Sequence, residues 1–529
     1  MSGVVHIGID AGNFAVLDGL AARGLMPAYA SLKERAAHGV LSSTTPWFTV
    51  PGWVSLMTGV PAHQHGMAYW TTAKPRDHWR KERGVRLVSS ADIPYPTLFE
   101  VASDAGRRVA SLNMPVTFPP TPVNGVMVSG FLGPTDPERV AHPRGFLRRY
   151  PDYGVDVESG PGRDEERTED RVLAVYAERL SAMAAERARV AIDLIREGYD
   201  LVSVVFVGPD RLLHVAWPAV AALLDGEGPP TGPAAAAASY YRALDDALGA
   251  IVRAAENRLV MVTSDHGQGP PPSRLLAVND WLRERGWLAG HHGSVRRLAR
   301  AIPRGARQRL WDLFVKVRRR PIHAAPLVDW ERSAAYGIAF PHCNLVGVAL
   351  REPHSGMLAE VAGALGALTD PETGRPLVTE VIRGADFATG PGLESYPDLL
   401  AVLDRDIGVS PGLTFGPWMR ENPDPANGAH DIEGLVLAAG PGVEPRSHPA
   451  RPIWDVAPTI LAALGVDPPA HVEAEPIAWA VPVVTGGAES AGAPATAPTA
   501  AERGMGQAGL TAEEEEAVSR HLRDLGYLE

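Results

Sequence analysis

Residues 201–214 read LVSVVFVGPDRLLH. Six of the first seven are apolar, and the run does not alternate. An unbroken apolar run of this length suits a strand buried on both faces of a parallel sheet. Just past its end stands Asp210, with His214 four residues on. The same design recurs elsewhere. Residues 4–9, VVHIGI, run into Asp10, and residues 259–263, LVMVT, run into Ser264-Asp265-His266-Gly267. Helix-like stretches lie between. One carries Leu17, Leu20 and Leu25 and stops at Gly24. Residues 167–197 are Ala-rich and charged, and residues 239–255 set Tyr240, Leu244, Leu248 and Ile251 on one face. Strands alternating with helices predict an α/β fold: a mostly parallel central sheet with helices on both faces. In such a sheet the ligand site lies at the carboxyl ends of the strands. Asp10, Asp210 and Asp265 each stand at such an end.

The bulk properties bound what such a sheet serves. The chain has 529 residues, 45% hydrophobic and 21% charged, with a net charge of −12. This is ordinary globular composition with ample material for a large core. The acidic balance gives no reason to expect a nucleic-acid partner. A lone cysteine, Cys343, excludes an intramolecular disulfide framework and a Cys-rich metal site. No run reaches the roughly 18 apolar residues of a membrane span, and the first residues read as a strand rather than a secretory signal. A cytoplasmic protein is the resulting expectation, and nothing here speaks to its oligomeric state. The expected organisation is a catalytic unit over 1–480, with insertions at about 71–95 and 270–340. A flexible Ala/Gly/Pro/Thr-rich linker follows at 486–509. A C-terminal helix over 510–529 opens on the capping-box pattern Thr511-Ala-Glu-Glu514. Residues 295–320 carry ten Lys and Arg against one acid, Asp312, and read as a basic helix on an insertion.

The carboxylates and imidazoles suggest a chemistry. Asp210 and His214 are four apart, so on a helix they share a face and reach one ion. Asp265-His266 follows a strand directly. His430 lies in GAHDIEGLVLAAGPGV, beside the strand-like residues 434–439. Taken singly, each aspartate reads most simply as a cap or turn residue, and each histidine as a satisfied surface or core residue. Together with Asp10 they make three aspartates and three histidines. That is too many for one tetrahedral ion and suited to two ions in one cleft. Mixed Asp/His ligation fits zinc, with manganese as the alternative.

A nucleophile is the missing part. Residues 42–66 read SSTTPWFTVPGWVSLMTGVPAHQHG. Pro51 suits the first turn of a helix, so Thr49 stands at or beside the N-cap. There the backbone N–H groups and the helix dipole favour a phosphate. A simple N-cap role is the alternative. Composition alone leaves Thr44, Thr45 and Ser55 open as well.

These pieces, in this order, resemble the type I phosphodiesterase/nucleotide pyrophosphatase family of the alkaline phosphatase superfamily. The resemblance spans about residues 4–464 and returns at the terminal LRDLGYLE. It rests on IGIDAGN, on Thr49-Val-Pro-Gly-Trp53 followed by SLMTGVPAHQHG, and on NMPVTFPP and VNGVMVSGF. It continues through Asp210-Arg-Leu-Leu-His214, Ser264-Asp-His-Gly267, Gly428-Ala-His430 and Asp455-Val-Ala-Pro-Thr459. It implies an alkaline-phosphatase-like fold and a hydrolase of small phosphate esters or nucleotides. It also implies two divalent metal ions, one held by Asp210, His214 and His430, the other by Asp10, Asp265, His266 and the Thr49 oxygen. Thr49 would be the nucleophile that forms a phospho-threonine intermediate, with the Val50 backbone N–H touching phosphate.

The chain departs from its relatives in two places. Gly52 stands where many nucleotide pyrophosphatases have an Asn that helps hold phosphate. HVEAEPIAWA (residues 471–480) replaces a frequent Asp-Gly. His63, His65 and His342 are further candidates near the site, with structural roles favoured, and Cys343 reads as a small buried residue. A sulfatase is excluded, because its Cys/Ser-x-Pro-x-Arg setting is absent around Thr49 and Trp53. A phosphomonoesterase on the same bimetal site is the main alternative. Less favoured are a phosphonate hydrolase, a phosphopentomutase-like transferase and a non-catalytic binding relative.

Overall fold

The apolar runs pair side by side in the computed structural model, which describes residues 3–80, 85–156, 169–226, 228–290, 327–481 and 509–525. Val4–Ile9 pairs in parallel with Leu201–Phe206 on one side and Leu259–Thr263 on the other. Leu201–Phe206 pairs with Val109–Met114, and that strand with Gly125–Ser129, again in parallel. These five strands form the middle of a ten-stranded sheet flanked by helices. Every residue of Val4–Ile9, Leu201–Phe206 and Leu259–Thr263 is buried, as runs without alternation require.

Beyond Leu259–Thr263 the chain direction reverses. Glu433–Ala439 lies antiparallel to it and to Ala37–Ser42. An antiparallel strand begins where its parallel neighbours end. The residues just before Glu433 are therefore delivered to the carboxyl ends of the parallel strands.

Helices Phe14–Ala22 and Asp170–Arg196 form where the patterning places them. The helix expected at 239–255 begins earlier, at Gly232, and runs to Ala254. Pro233 fits its first turn, and alanines 234–238 are strong helix formers that carry no amphipathic signal of their own. The C-terminal helix, Ala512–Leu525, opens on the expected capping box. The Thr511 N–H donates to Glu514 Oε2 at 2.7 Å, and the Glu514 N–H donates to Thr511 Oγ1 at 3.3 Å.

A second, four-stranded antiparallel sheet joins Ala335–Ala339, Leu345–Leu350, Leu399–Leu403 and Val378–Arg383, in that spatial order. It has its own apolar core, including Val346, Val348, Val361, Leu365 and Leu399. The turn between its first two strands leaves that core: Phe340 and Cys343 are buried in the main one. Among the described residues no helix is long and apolar enough to cross a membrane. The basic segment at 295–320 and residues 486–508 of the expected linker lie outside the described residues.

Candidate metal centre

Two buried groups of three ligating side chains meet at the carboxyl ends of the parallel strands. One is Asp10, Asp265 and His266; the other is Asp210, His214 and His430. Asp10 follows Val4–Ile9, and Asp265-His266 follows Leu259–Thr263. Asp210 and His214 lie in the first turns of helix Gly208–Asp225, which follows Leu201–Phe206. His430 arrives from the far end of the sequence. It sits on Ala429–Asp431, paired antiparallel with Gly267–Gly269 so that His430 faces Gln268 in register. The loop before it is tied to the Asp210 helix, because the Gly428 N–H donates to the Leu213 carbonyl at 3.0 Å. The two groups adjoin, with the rings of His266 and His430 4.1 Å apart.

The separations within each group suit a shared cation. His214 Nε2 lies 3.1 Å from Asp210 Oδ1 and 2.9 Å from His430 Nε2, and His430 Nε2 is 3.5 Å from Asp210 Oδ1. In the other group His266 Nε2 lies 3.1 Å from Asp265 Oδ2 and 3.7 Å from Asp10 Oδ1. Ligands about 2.0–2.1 Å from a tetrahedral ion stand about 3.3 Å from one another, within this range. Asp10 Oδ1 is buried with no hydrogen-bond partner, and Asp265 Oδ2 has only the neighbouring His266 imidazole beside it. A carboxylate oxygen left unpaired at such depth is costly unless a cation meets it. The donor set therefore fits metal ions.

The electrostatics reflect the crowding of acids and imidazoles: burial opposes protonation of His266, but the Asp265 carboxylate outweighs it and holds that imidazole above its ordinary value. Burial, then the neighbouring carboxylates of Asp265 and Asp210, push Asp10 well above the usual carboxylate range. Burial opposes ionisation of Asp210 too, but the imidazoles of His214 and His430 outweigh it and hold that carboxyl well below its ordinary value. Burial, reinforced by His266 and His214, pushes His430 far below the ordinary imidazole range, the direction that favours the neutral, ligating form.

Thr49 opens helix Thr49–Thr58, and every residue of that helix is buried. Phe48 is the N-cap, and no side chain caps the helix, so Thr49 is not doing a cap's work. Its Oγ1 is buried without a hydrogen bond. Three and four residues on, along the same face, the helix meets the first metal group. A Cβ at Gly52 would stand 3.0 Å from Asp265 Cβ and from the Asp265 carbonyl oxygen. Trp53 Nε1 donates to Asp10 Oδ2 at 3.4 Å. Gly8, on the first strand, leaves the room that the Trp53 ring fills, since a Cβ there would lie 2.5 Å from it.

Several supporting residues carried no sequence signal. Asn427 Oδ1 lies 2.7 Å from His214 Nδ1. An amide oxygen can only accept, so a proton on Nδ1 would be held there and Nε2 left to face Asp210. Asn13 Nδ2 donates to the Gln268 carbonyl at 2.6 Å, fixing the strand opposite His430. Of the three histidines read as structural, His65 accepts from the Met67 N–H at Nδ1 and bonds Ser55 Oγ at 3.0 Å. His63 packs on Phe387. His342 is different: it lies at the site, its ring 4.2 Å from that of His214. Arg211 is turned from the ligand face, its guanidinium 2.8 Å from Asp156 Oδ2 and over the Phe131 ring.

Known proteins resemble this chain in family and fold. The model of the type I phosphodiesterase / nucleotide pyrophosphatase family matches residues 4–329. No curated protein sequence matches the chain. Phosphonoacetate hydrolase from Sinorhizobium meliloti 1021, solved with phosphonoacetate, is 17% identical with a TM-score of 0.53, over 87% of this chain and 95% of that one. Murine ectonucleotide pyrophosphatase / phosphodiesterase 5, solved with AMP, is 13% identical with a TM-score of 0.49, over 90% of this chain and 98% of that one. The first likeness shows a shared, alkaline-phosphatase-like fold.

Proposed function

Because this chain belongs to the type I phosphodiesterase / nucleotide pyrophosphatase family of phosphoester hydrolases, we propose that it cleaves phosphodiesters, or the phosphoanhydride bonds of nucleotides, through a phospho-threonine at Thr49. The observation that carries this reading is the junction of two three-ligand groups, with a buried Thr49 hydroxyl that no structural role occupies. Asp10, Asp265, His266 and Thr49 Oγ1 would hold one divalent ion, and Asp210, His214 and His430 the other. The mixed donors suit zinc, with manganese as the alternative. When bound, the ions supply positive charge that favours the ionised hydroxyl and offsets charge on the phosphate and the leaving oxygen.

The chain's own residues define the rest. Thr49 Oγ bonds to phosphorus, and the bond to the leaving oxygen breaks in line with it. Water then cleaves the phospho-threonine and frees the phosphate product. The Val50 N–H, in the first turn where helix N–H groups lack intrahelical acceptors, would donate to a non-bridging oxygen. Trp53 holds Asp10, and Asn427 holds His214, in the orientation needed.

The diester preference is electrostatic. A monoester dianion brings an additional charge that a third cationic group would offset. Arg211, the cation next in sequence to a proposed ligand, is engaged with Asp156 instead. The test is kcat/KM for bis-p-nitrophenyl phosphate against p-nitrophenyl phosphate in zinc or manganese, each relative to its uncatalysed rate. We expect the larger enhancement for the diester. A larger enhancement for the monoester would give first place to a phosphomonoesterase.

A further inference from the structure

We propose that His342 contacts the substrate on its leaving-group side, donating an imidazole N–H to the departing oxygen. This rests on the reading of Thr49 as nucleophile. The His342 ring packs 4.2 Å from that of His214 and 5.4 Å from that of His430. It therefore borders the Asp210 group, whereas the Thr49 helix borders the Asp10 group through Gly52 and Trp53. In-line displacement sends the leaving oxygen away from Thr49, toward the side that His342 lines. The seven proposed ligands are buried, while His342 is half-buried.

The turn that carries His342 is anchored to both halves of the site. Its carbonyl accepts from the His430 N–H at 2.9 Å. The next residue, Cys343, donates from Sγ to the Trp47 carbonyl at 3.3 Å, two residues before Thr49. Phe340 stacks on Tyr69 with ring centroids 5.4 Å apart. His342 itself holds a left-handed backbone, φ 57°. That conformation is uncommon outside glycine, and at a site it points to a constraint of function. The second sheet thus sends one turn out of its own core and into the main one.

The step balances simply. The Thr49 oxygen forms the new P–O bond, its proton passing to bulk water. The old P–O bond breaks with its electron pair on the leaving oxygen. The His342 N–H stabilises that developing charge by a hydrogen bond, and the alkoxide or phenoxide then takes its proton from water. No change in His342 protonation is required.

The experiment uses the full chain loaded with zinc and a series of methyl aryl phosphates, from p-nitrophenol to unsubstituted phenol as leaving group. Two variants are compared. His342→Phe keeps a ring against His214 but has no donor. His342→Gly has neither, and it suits the left-handed backbone if phenylalanine does not. We expect both to lose roughly 100-fold in kcat/KM with phenol leaving, and only a few-fold with p-nitrophenol, so that dependence on the leaving group steepens. Metal content, measured by mass spectrometry, should stay at the wild-type value. An equal loss across the series, a phenylalanine variant matching wild type, or the loss of an ion would each overturn the proposal. Wild-type protein inert toward the whole series would instead overturn the parent reading.

Discussion

The hydroxyl of Thr49 is buried, bonded to nothing and at the start of a helix it does not cap. A buried hydroxyl left unpaired costs about 1–3 kcal/mol. Removing it should therefore leave the fold standing. Thr49→Ala is expected to melt within a few degrees of wild type while kcat/KM falls by at least about 1,000-fold, the scale of losing a nucleophile. Thr49→Ser, with an oxygen at the same place, should keep part of the activity. Melting curves and bis-p-nitrophenyl phosphate turnover measure both effects. An alanine variant within tenfold of wild type would move the nucleophile elsewhere. Gly52 also finds a physical reason: a Cβ there would press on Asp265. The six acids and imidazoles were legible because each pair sits at a strand end or at helical spacing. Asn427 was not legible, and His342 was only one candidate among three histidines, because long-range bonds to helix Gly208–Asp225 and to the Thr49 segment place their loops.

At the scale of elements, the central strands were legible because continuous apolar runs have one comfortable home, and the second sheet was not. Two of its strands, Ala335–Ala339 and Leu345–Leu350, carry glycines mid-strand, which weaken a strand pattern. The structure shows their purpose: a Cβ at Gly337 would meet Val278 at 2.6 Å, and one at Gly347 would meet Pro397 at 2.8 Å. The central strand hides a different liability. His6 is wholly buried between its neighbours, 2.8 Å from Ser203 Oγ and from Thr263 Oγ1. Burial lowers its pKa from 6.5 to about 3. The folded state thus refuses a proton that the unfolded state accepts below about pH 6.5. The contribution is complete above pH 6.5 and is lost as pH falls from there toward 3. Between pH 7.5 and 5.5 one such histidine costs about 1.4 kcal/mol. Urea unfolding with a chelator present should show His6→Gln losing about that much less stability than wild type over this interval. Equal losses in both proteins would mean that His6 takes up a proton in the fold.

For the whole molecule, the site is where distant parts of the chain converge. Asp10 comes from the first strand, Asp210 and Asp265 from the middle of the sequence, and His430 from beyond the second sheet. Side chains that crowd carboxylates together, as Asp10, Asp210 and Asp265 do, pull the fold apart when no cation is present. Ions bound only by the folded state add about 4 kcal/mol each at a thousand times Kd. Two ions then add about 8 kcal/mol. Spread over roughly 400 cooperatively melting residues at about 2.1 cal/mol/K each, this is a rise in Tm on the order of 10 °C. Stripping metal with a chelator should lower Tm by that amount, and returning zinc should restore it. Asp210→Asn and Asp265→Asn lie in different groups, so each should abolish about half of the zinc-dependent rise, and together nearly all of it. Two single variants that each abolish the whole rise would mean one shared ion rather than two. A stripped protein that melts where the loaded one does, with metal content shown to differ, would place the ions outside these six side chains.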